Sequence, residues 1–243
     1  MKSPKINIAK LKVRESNIEL LRIISMILVL VTHACYVSLG PPTFSDISNS
    51  FCSSLIRVLC ESFSDVCVNV FILISGWFGI KSRLKRFLGF IFQIYFINIF
   101  LYFIMRSMGL IAPVDLSVWM NLFLGGYGIY WFAKAYIILY IFAPVLNAFA
   151  ENCDKRQLEI FLVSFYIVQT LLGFILNTGG FFSGYSAWSF MGLYLLARYM
   201  RIYPNKFTQF NKSTDIILYS FFSLLTAIFS FSMTYWGGKV GTL

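Results

Sequence analysis

Charge is scarce in this chain. Asp, Glu, Lys and Arg make up 12% of its 243 residues, about half the share of a soluble domain, which excludes an ordinary water-soluble globule. Acids are the scarcer sign, with 10 Asp and Glu against 20 Lys and Arg and a formal net charge of +10. Histidine occurs once, at His33. The five cysteines, Cys35, Cys52, Cys60, Cys67 and Cys153, lack CxxC spacing and have no set of histidines to join. A zinc site is therefore excluded and no metal is expected. These thiols can serve as small buried hydrophobes, and the four that fall toward one face of the membrane can also pair as disulfides. No repeat or low-complexity stretch is apparent.

What the chain has instead is apolar length. It is 58% hydrophobic and 19% aromatic, with mean hydropathy +0.76. About 20 apolar residues in a helix cross a bilayer core, and seven such segments can be read: 17–37, 51–80, 87–105, 129–149, 158–176, 182–200 and 215–236. The expected fold is all-α, a polytopic transmembrane helix bundle of about seven spans plus interfacial helices. LSVWMNLFLGG, residues 116–126, is too short to cross and reads as interfacial or re-entrant. Gly40, Pro41, Pro42 and the polar run to Ser50 read as a loop.

The first span, NIELLRIISMILVLVTHACYV, carries Glu19, Arg22 and His33 through an apolar segment. An ionisable group there costs roughly 2.5–3.5 kcal/mol on insertion scales, so each needs a reason. Arg22 and His33 are eleven residues apart, nearly three turns, which puts them on one face about 16 Å apart. Glu19, at i,i+3 from Arg22, can neutralise the guanidinium. An imidazole buried in the outer half of a span is expected to stay neutral and so to suit a general base, while a histidine bonded to a neighbouring helix is the plainer alternative. In the second span Arg57, Glu61 and Asp65 recur every four residues, the pattern of a polar face that supports itself by i,i+4 pairing.

The cations sort by side. With the N-terminus inside, the cytoplasmic ends and loops collect six, four, two and four Lys or Arg of the 20, as the positive-inside rule requires. Residues 1–16 then form a basic cytoplasmic tail and 17–243 a transmembrane domain. The charge is explained by topology, and no nucleic-acid partner is expected. The first span has no small-residue cleavage site and is interrupted by Arg22 and His33, so it is read as retained rather than as a signal peptide.

Four segments carry a family likeness. IELLRIISMILVLVTH, with Arg22 and His33 separated by ten residues, resembles the first helix of the membrane-bound acyltransferase-3 family, the O-acetyltransferases of bacterial surface polysaccharides. VNVFILISGWFGI is similar to the family's segment ending in Ser-Gly-aromatic, here Ser75, Gly76 and Trp77; Arg83 and Arg86 match its R-x-x-R; and YWFAKAYIILYIFAPVLN resembles its Trp-Phe helix ending in proline. The resemblance implies an integral membrane enzyme of the bacterial inner membrane that moves an acetyl group from acetyl-CoA to a hydroxyl of a glycan or lipid-linked saccharide. The candidate catalytic group is His33 with Arg22 and Glu19. Arg83, Arg86 and Trp77 are the candidate donor-binding residues, because guanidinium forks take phosphate bidentately and the indole can stack; for the two arginines, ordinary topology charges remain the alternative. Lys134 and Trp131 are candidates for the acceptor side, with snorkelling and membrane anchoring as their plainer roles. Family members usually have about ten helices, so this chain reads as incomplete at its C-terminus.

Two rivals use the same apolar composition. A small-solute transporter should show two related halves with broken helices, which the sequence does not display. A non-catalytic scaffold would tolerate apolar replacements of Arg22 and His33. The topology is directly testable. A single cysteine introduced at Lys85 in a cysteine-free background should be labelled by a membrane-impermeant maleimide only after the cytoplasmic face is opened, and one at Ser45 in intact cells; the reverse pattern would invert the assignment.

Overall fold

The computed structural model describes residues 16–111, 113, 115, 131–176, 178–181, 184–204 and 209–241. The basic tail and the short 116–126 segment lie outside the described residues. Among those described every regular element is helical: α1 (Ser16–Thr32), α2 (Phe44–Asn49), α3 (Phe51–Ser64), α4 (Cys67–Phe78), α5 (Leu84–Ser107), α6 (Trp131–Asn152), α7 (Lys155–Val168), α8 (Ala187–Ile202) and α9 (Lys212–Gly241). α1 and α7 continue as wider π-helical turns over His33–Val37 and Gln169–Ile175.

Among the described residues six helical stretches are long and apolar enough to cross a membrane: Ser16–Val37, Phe51–Phe78, Leu84–Ser107, Trp131–Asn152, Lys155–Ile175 and Lys212–Gly237. The remaining expected span, 182–200, is realised as the shorter α8, whose 16 residues reach about 24 Å. α5 has no buried residue at all; Leu88, Phe92, Phe96, Phe100 and Phe103 stand exposed around it. A helix that is apolar on every side is at rest in lipid, not in water. This is a multi-pass membrane protein.

The chain forms two compact units, residues 1–74 with 200–243, and residues 75–199. In the first, α9 runs antiparallel to α3. Their aromatic pairs show it: Phe63 meets Tyr219, Phe51 meets Phe231, and Phe44 of α2 meets Tyr235, with ring centroids 5.3–5.7 Å apart. The Tyr219 hydroxyl also donates to the Phe63 carbonyl. α1 packs on the same helix α3.

Two local expectations change. The 40–50 stretch is not all loop, because Thr43 and Asp46 form a capping box: the Thr43 N–H donates to Asp46 Oδ2 at 2.8 Å, the Asp46 N–H donates to Thr43 Oγ1 at 3.2 Å, and α2 starts there. Those hydrogen bonds hold the Asp46 carboxyl below the usual carboxylate range. The polar face of α3 does not pair with itself either. Arg57 donates to the carbonyls of Leu39, at 2.9 Å, and Gly40, and its other terminal nitrogen lies 4.0 Å from Asp46. Three carbonyl and carboxylate oxygens at the end of the first hairpin outcompete a single Glu61 one turn away.

In the second unit, α8 is the buried centre: Phe190, Tyr194, Leu195 and Ala197 are at most 2% exposed. Gly76 explains why α4 can approach it. A Cβ at that position would lie 2.5 Å from the Tyr194 carbonyl oxygen and 2.8 Å from the Ala197 Cβ, and only hydrogen fits. Arg198, with a 4% exposed side chain, is paired at 2.7 Å with Glu151 of α6.

Gly76→Leu should therefore destabilise the protein by at least the roughly 1–3 kcal/mol of an overpacked core, seen as a lower unfolding midpoint in detergent. Glu151→Gln should cost about 1–3 kcal/mol by leaving a buried guanidinium without its carboxylate; an unchanged midpoint would mean that the pair contributes nothing.

Candidate functional site

The first set of candidate residues lies in the first unit. Glu19 and Arg22 are bonded as the i,i+3 spacing predicts, Arg22 Nη1 to Glu19 Oε1 at 2.6 Å, with both side chains about 40% exposed. α1 is regular to Thr32, so His33 stays roughly 20° from Arg22 around the axis. At His33 the helix widens. Its first π turn ends with the Ser38 N–H donating to the His33 carbonyl at 3.0 Å, and such bulges recur at functional sites because they re-aim side chains.

The imidazole is exposed, which departs from the expectation of a buried group. Its orientation is nonetheless defined. His33 Nδ1 lies 2.8 Å from the Val29 carbonyl oxygen, and a carbonyl only accepts, so the geometry assigns the proton of the neutral ring to Nδ1. Nε2 is then the nitrogen with the available lone pair, directed away from its own helix. That is the arrangement a general base needs.

Opposite this segment the second span is broken. α3 ends at Ser64, Asp65 and Val66 form a turn, and α4 starts at Cys67. Tyr36, three residues beyond His33, faces Glu61 and Asp65. Non-helical backbone at membrane depth is tolerated only where protein covers it or a polar cavity adjoins it. A cavity of about 280 Å³ opens at the break, mostly apolar in its walls through Val66, Leu218 and Phe222, with Asp65, Tyr219 and Ser223 among its polar groups. Neither the π turn nor this break was legible in the sequence: the apolar run continues through the π turn, and at the break the polar residues Glu61, Ser62, Ser64 and Asp65 read as one face of a continuous helix. None of the five cysteines is in a disulfide, and only Cys67 is buried.

The second set lies in the second unit. Arg83 is the N-cap of α5, in extended conformation, and Arg86 is in its first turn; the two backbones are joined by the Arg86 N–H donating to the Arg83 carbonyl at 2.9 Å. With Lys81 and Lys85 they make four exposed cations around one helix N-terminus. Trp77, half-buried, is the penultimate residue of α4. Trp131 begins α6, edge-on to Tyr185 at 5.0 Å and tilted against Phe190 at 5.9 Å, and Lys134 is half-buried in the next turn. Trp131 is thus wedged among rings, as an anchor or packing residue would be.

Sequence reading missed three residues here. Asn147 and Tyr140 of α6 and Tyr194 of α8 bond the backbone of residues 80–83, which joins α4 to α5. The only available signal was an asparagine inside an apolar span. Among the described residues no cluster of His, Cys, Asp and Glu could hold a metal ion.

A comparison with protein-family models matches the acyltransferase domain of the acyltransferase-3 type over residues 15–241. Neither the curated proteins nor the solved structures supply a match. The match takes in both units and every segment that carries the likeness: the Arg22–His33 helix, Ser75 to Trp77, Arg83 with Arg86, and the helix from Trp131. With six membrane-length helices around them, the chain belongs to the acyltransferase-3 family and is a membrane acyltransferase, a transferase of acyl groups other than aminoacyl groups.

Proposed function

We propose that the protein transfers an acetyl group from acetyl-CoA, bound on the cytoplasmic side of the inner membrane, to a hydroxyl of a glycan or lipid-linked saccharide on the other side, with its N-terminus cytoplasmic. The observation that carries the donor half is the placement of Lys81, Arg83, Lys85 and Arg86 at the N-terminus of α5. That end of a helix already carries a positive partial charge, and each cation placed there costs about 0.3–1 kcal/mol instead of gaining it. Four of them, adjacent and exposed, form a site that is repulsive until an anion arrives. The phosphates of coenzyme A fit that demand, since arginine forks take phosphate bidentately and the α5 N–H groups add donors. Trp77 supplies an indole for the adenine.

The acceptor half rests on His33. Its Nε2 takes the proton of the acceptor hydroxyl as that oxygen attacks the thioester carbonyl, and the imidazolium then returns the proton to the departing coenzyme A thiolate. An ester and a thiol leave, and the ring ends neutral with Nδ1–H still on the Val29 carbonyl. Arg22, held by Glu19, gives the donor a cationic contact on the same helical stripe. Lys134 is kept as a candidate for the acceptor side, whereas Trp131, with Tyr185 and Phe190 against its ring, is assigned to packing.

His33→Ala should reduce acetyl transfer from labelled acetyl-CoA by about 10²–10⁴, the usual contribution of a general base, with membrane insertion and detergent stability unchanged. Transfer at the wild-type rate would remove His33 from the mechanism.

A further inference from the structure

The 79–83 connection between α4 and α5 is held by a closed ring of three hydrogen bonds. The Ile80 N–H donates to the Tyr194 hydroxyl at 2.8 Å, that hydroxyl donates to Asn147 Oδ1 at 2.7 Å, and Asn147 Nδ2 donates back to the Ile80 carbonyl at 3.0 Å. The ring defines the asparagine orientation, because only one placement of its amide lets it accept from the phenol and donate to the carbonyl. A second fastening lies seven residues earlier on α6, two turns away on the same face. There the Tyr140 hydroxyl accepts from the Arg83 N–H at 3.0 Å, and its ring stacks on Phe87 of the first α5 turn at 5.3 Å. Ser82 Oγ also reaches the Tyr140 carbonyl at 3.3 Å. Tyr194 is fully buried and Tyr140 nearly so.

A turn at the membrane boundary could satisfy its backbone with water. Here three side chains from two other helices do it, and the backbone they fix is the one that carries Arg83 and leads into Arg86. Four like charges on a loose turn would spread apart, and a ligand would have to gather them again at an entropic cost; a fastened turn has met that cost in advance. We infer that Asn147, Tyr194 and Tyr140 are positioning residues for the acyl donor: they set the backbone of the Arg83–Arg86 turn so that the two guanidiniums converge on the donor's phosphates. This inference rests on the reading of Arg83 and Arg86 as the coenzyme A phosphate site.

Two variants test it. Asn147→Ala opens the ring. Tyr140→Phe removes the acceptor for the Arg83 N–H and keeps the ring stacked on Phe87, so it preserves packing. Each should raise the KM for acetyl-CoA, and the Kd for labelled coenzyme A at equilibrium, by about tenfold, with kcat at saturating acetyl-CoA changed less than twofold. A purely structural role would lower the yield or the unfolding midpoint while KM and Kd stayed at wild-type values, and that result would overturn the inference. The Arg83→Ala, Arg86→Ala double variant separates the two levels. If it raises KM while the Asn147 and Tyr140 variants do not, the positioning role fails and the donor site stands. If it leaves KM unchanged, the donor reading of the arginines fails and this inference fails with it.

Discussion

Hydrocarbon offers no hydrogen bonds, so each backbone N–H, carbonyl and charge that enters it has to find a partner within the protein. The structure follows from where that constraint is met and where it is bent. Most of the chain meets it with continuous helix. Among the described residues the exceptions are few: the π turns at His33 and over Gln169–Ile175, the break at Asp65 and Val66, and the fastened turn before α5. All but the Gln169–Ile175 turn fall on the segments on which acyl transfer can be argued, as expected when irregular backbone has to be supported by something around it.

The charged groups obey the same accounting. Arg22 has Glu19, Arg198 has Glu151, and Arg57 takes two carbonyls and approaches Asp46. The cations around the start of α5 are different in kind. They are exposed and adjacent, and the N-terminus of the helix they surround repels them. Their backbone is fixed by neutral hydroxyl and amide groups and not by carboxylates, which leaves their charge undiminished for an anionic ligand.

Much of the fold could be read from periodicity and charge. The apolar lengths located the six long helices to within a few residues, and the i,i+3 spacing anticipated the Glu19–Arg22 pair. The Ser-Gly-Trp segment was recognisable as a pattern, but its physical reason, the α8 backbone against Gly76, is a tertiary fact that no local signal encodes. The same holds for the Ile80–Tyr194–Asn147 ring, which joins residues 47 to 114 positions apart in the chain. Arg57 misled for a related reason. Its i,i+4 neighbour Glu61 is visible in the sequence, whereas the Leu39 and Gly40 carbonyls that hold it come together only when the first hairpin closes. The break at Asp65 was hidden because no proline or glycine marks it.

The central claim is that donor and acceptor meet this protein from opposite faces of one membrane. Sealed vesicles of both orientations, made from membranes containing the protein and given acetyl-labelled acetyl-CoA externally, test it most directly. The account predicts labelled glycan in vesicles that present the Arg83–Arg86 turn to the medium, and none in the opposite orientation until they are permeabilised. Equal labelling in both sealed orientations, or labelling only when the opposite face is outward, would contradict it.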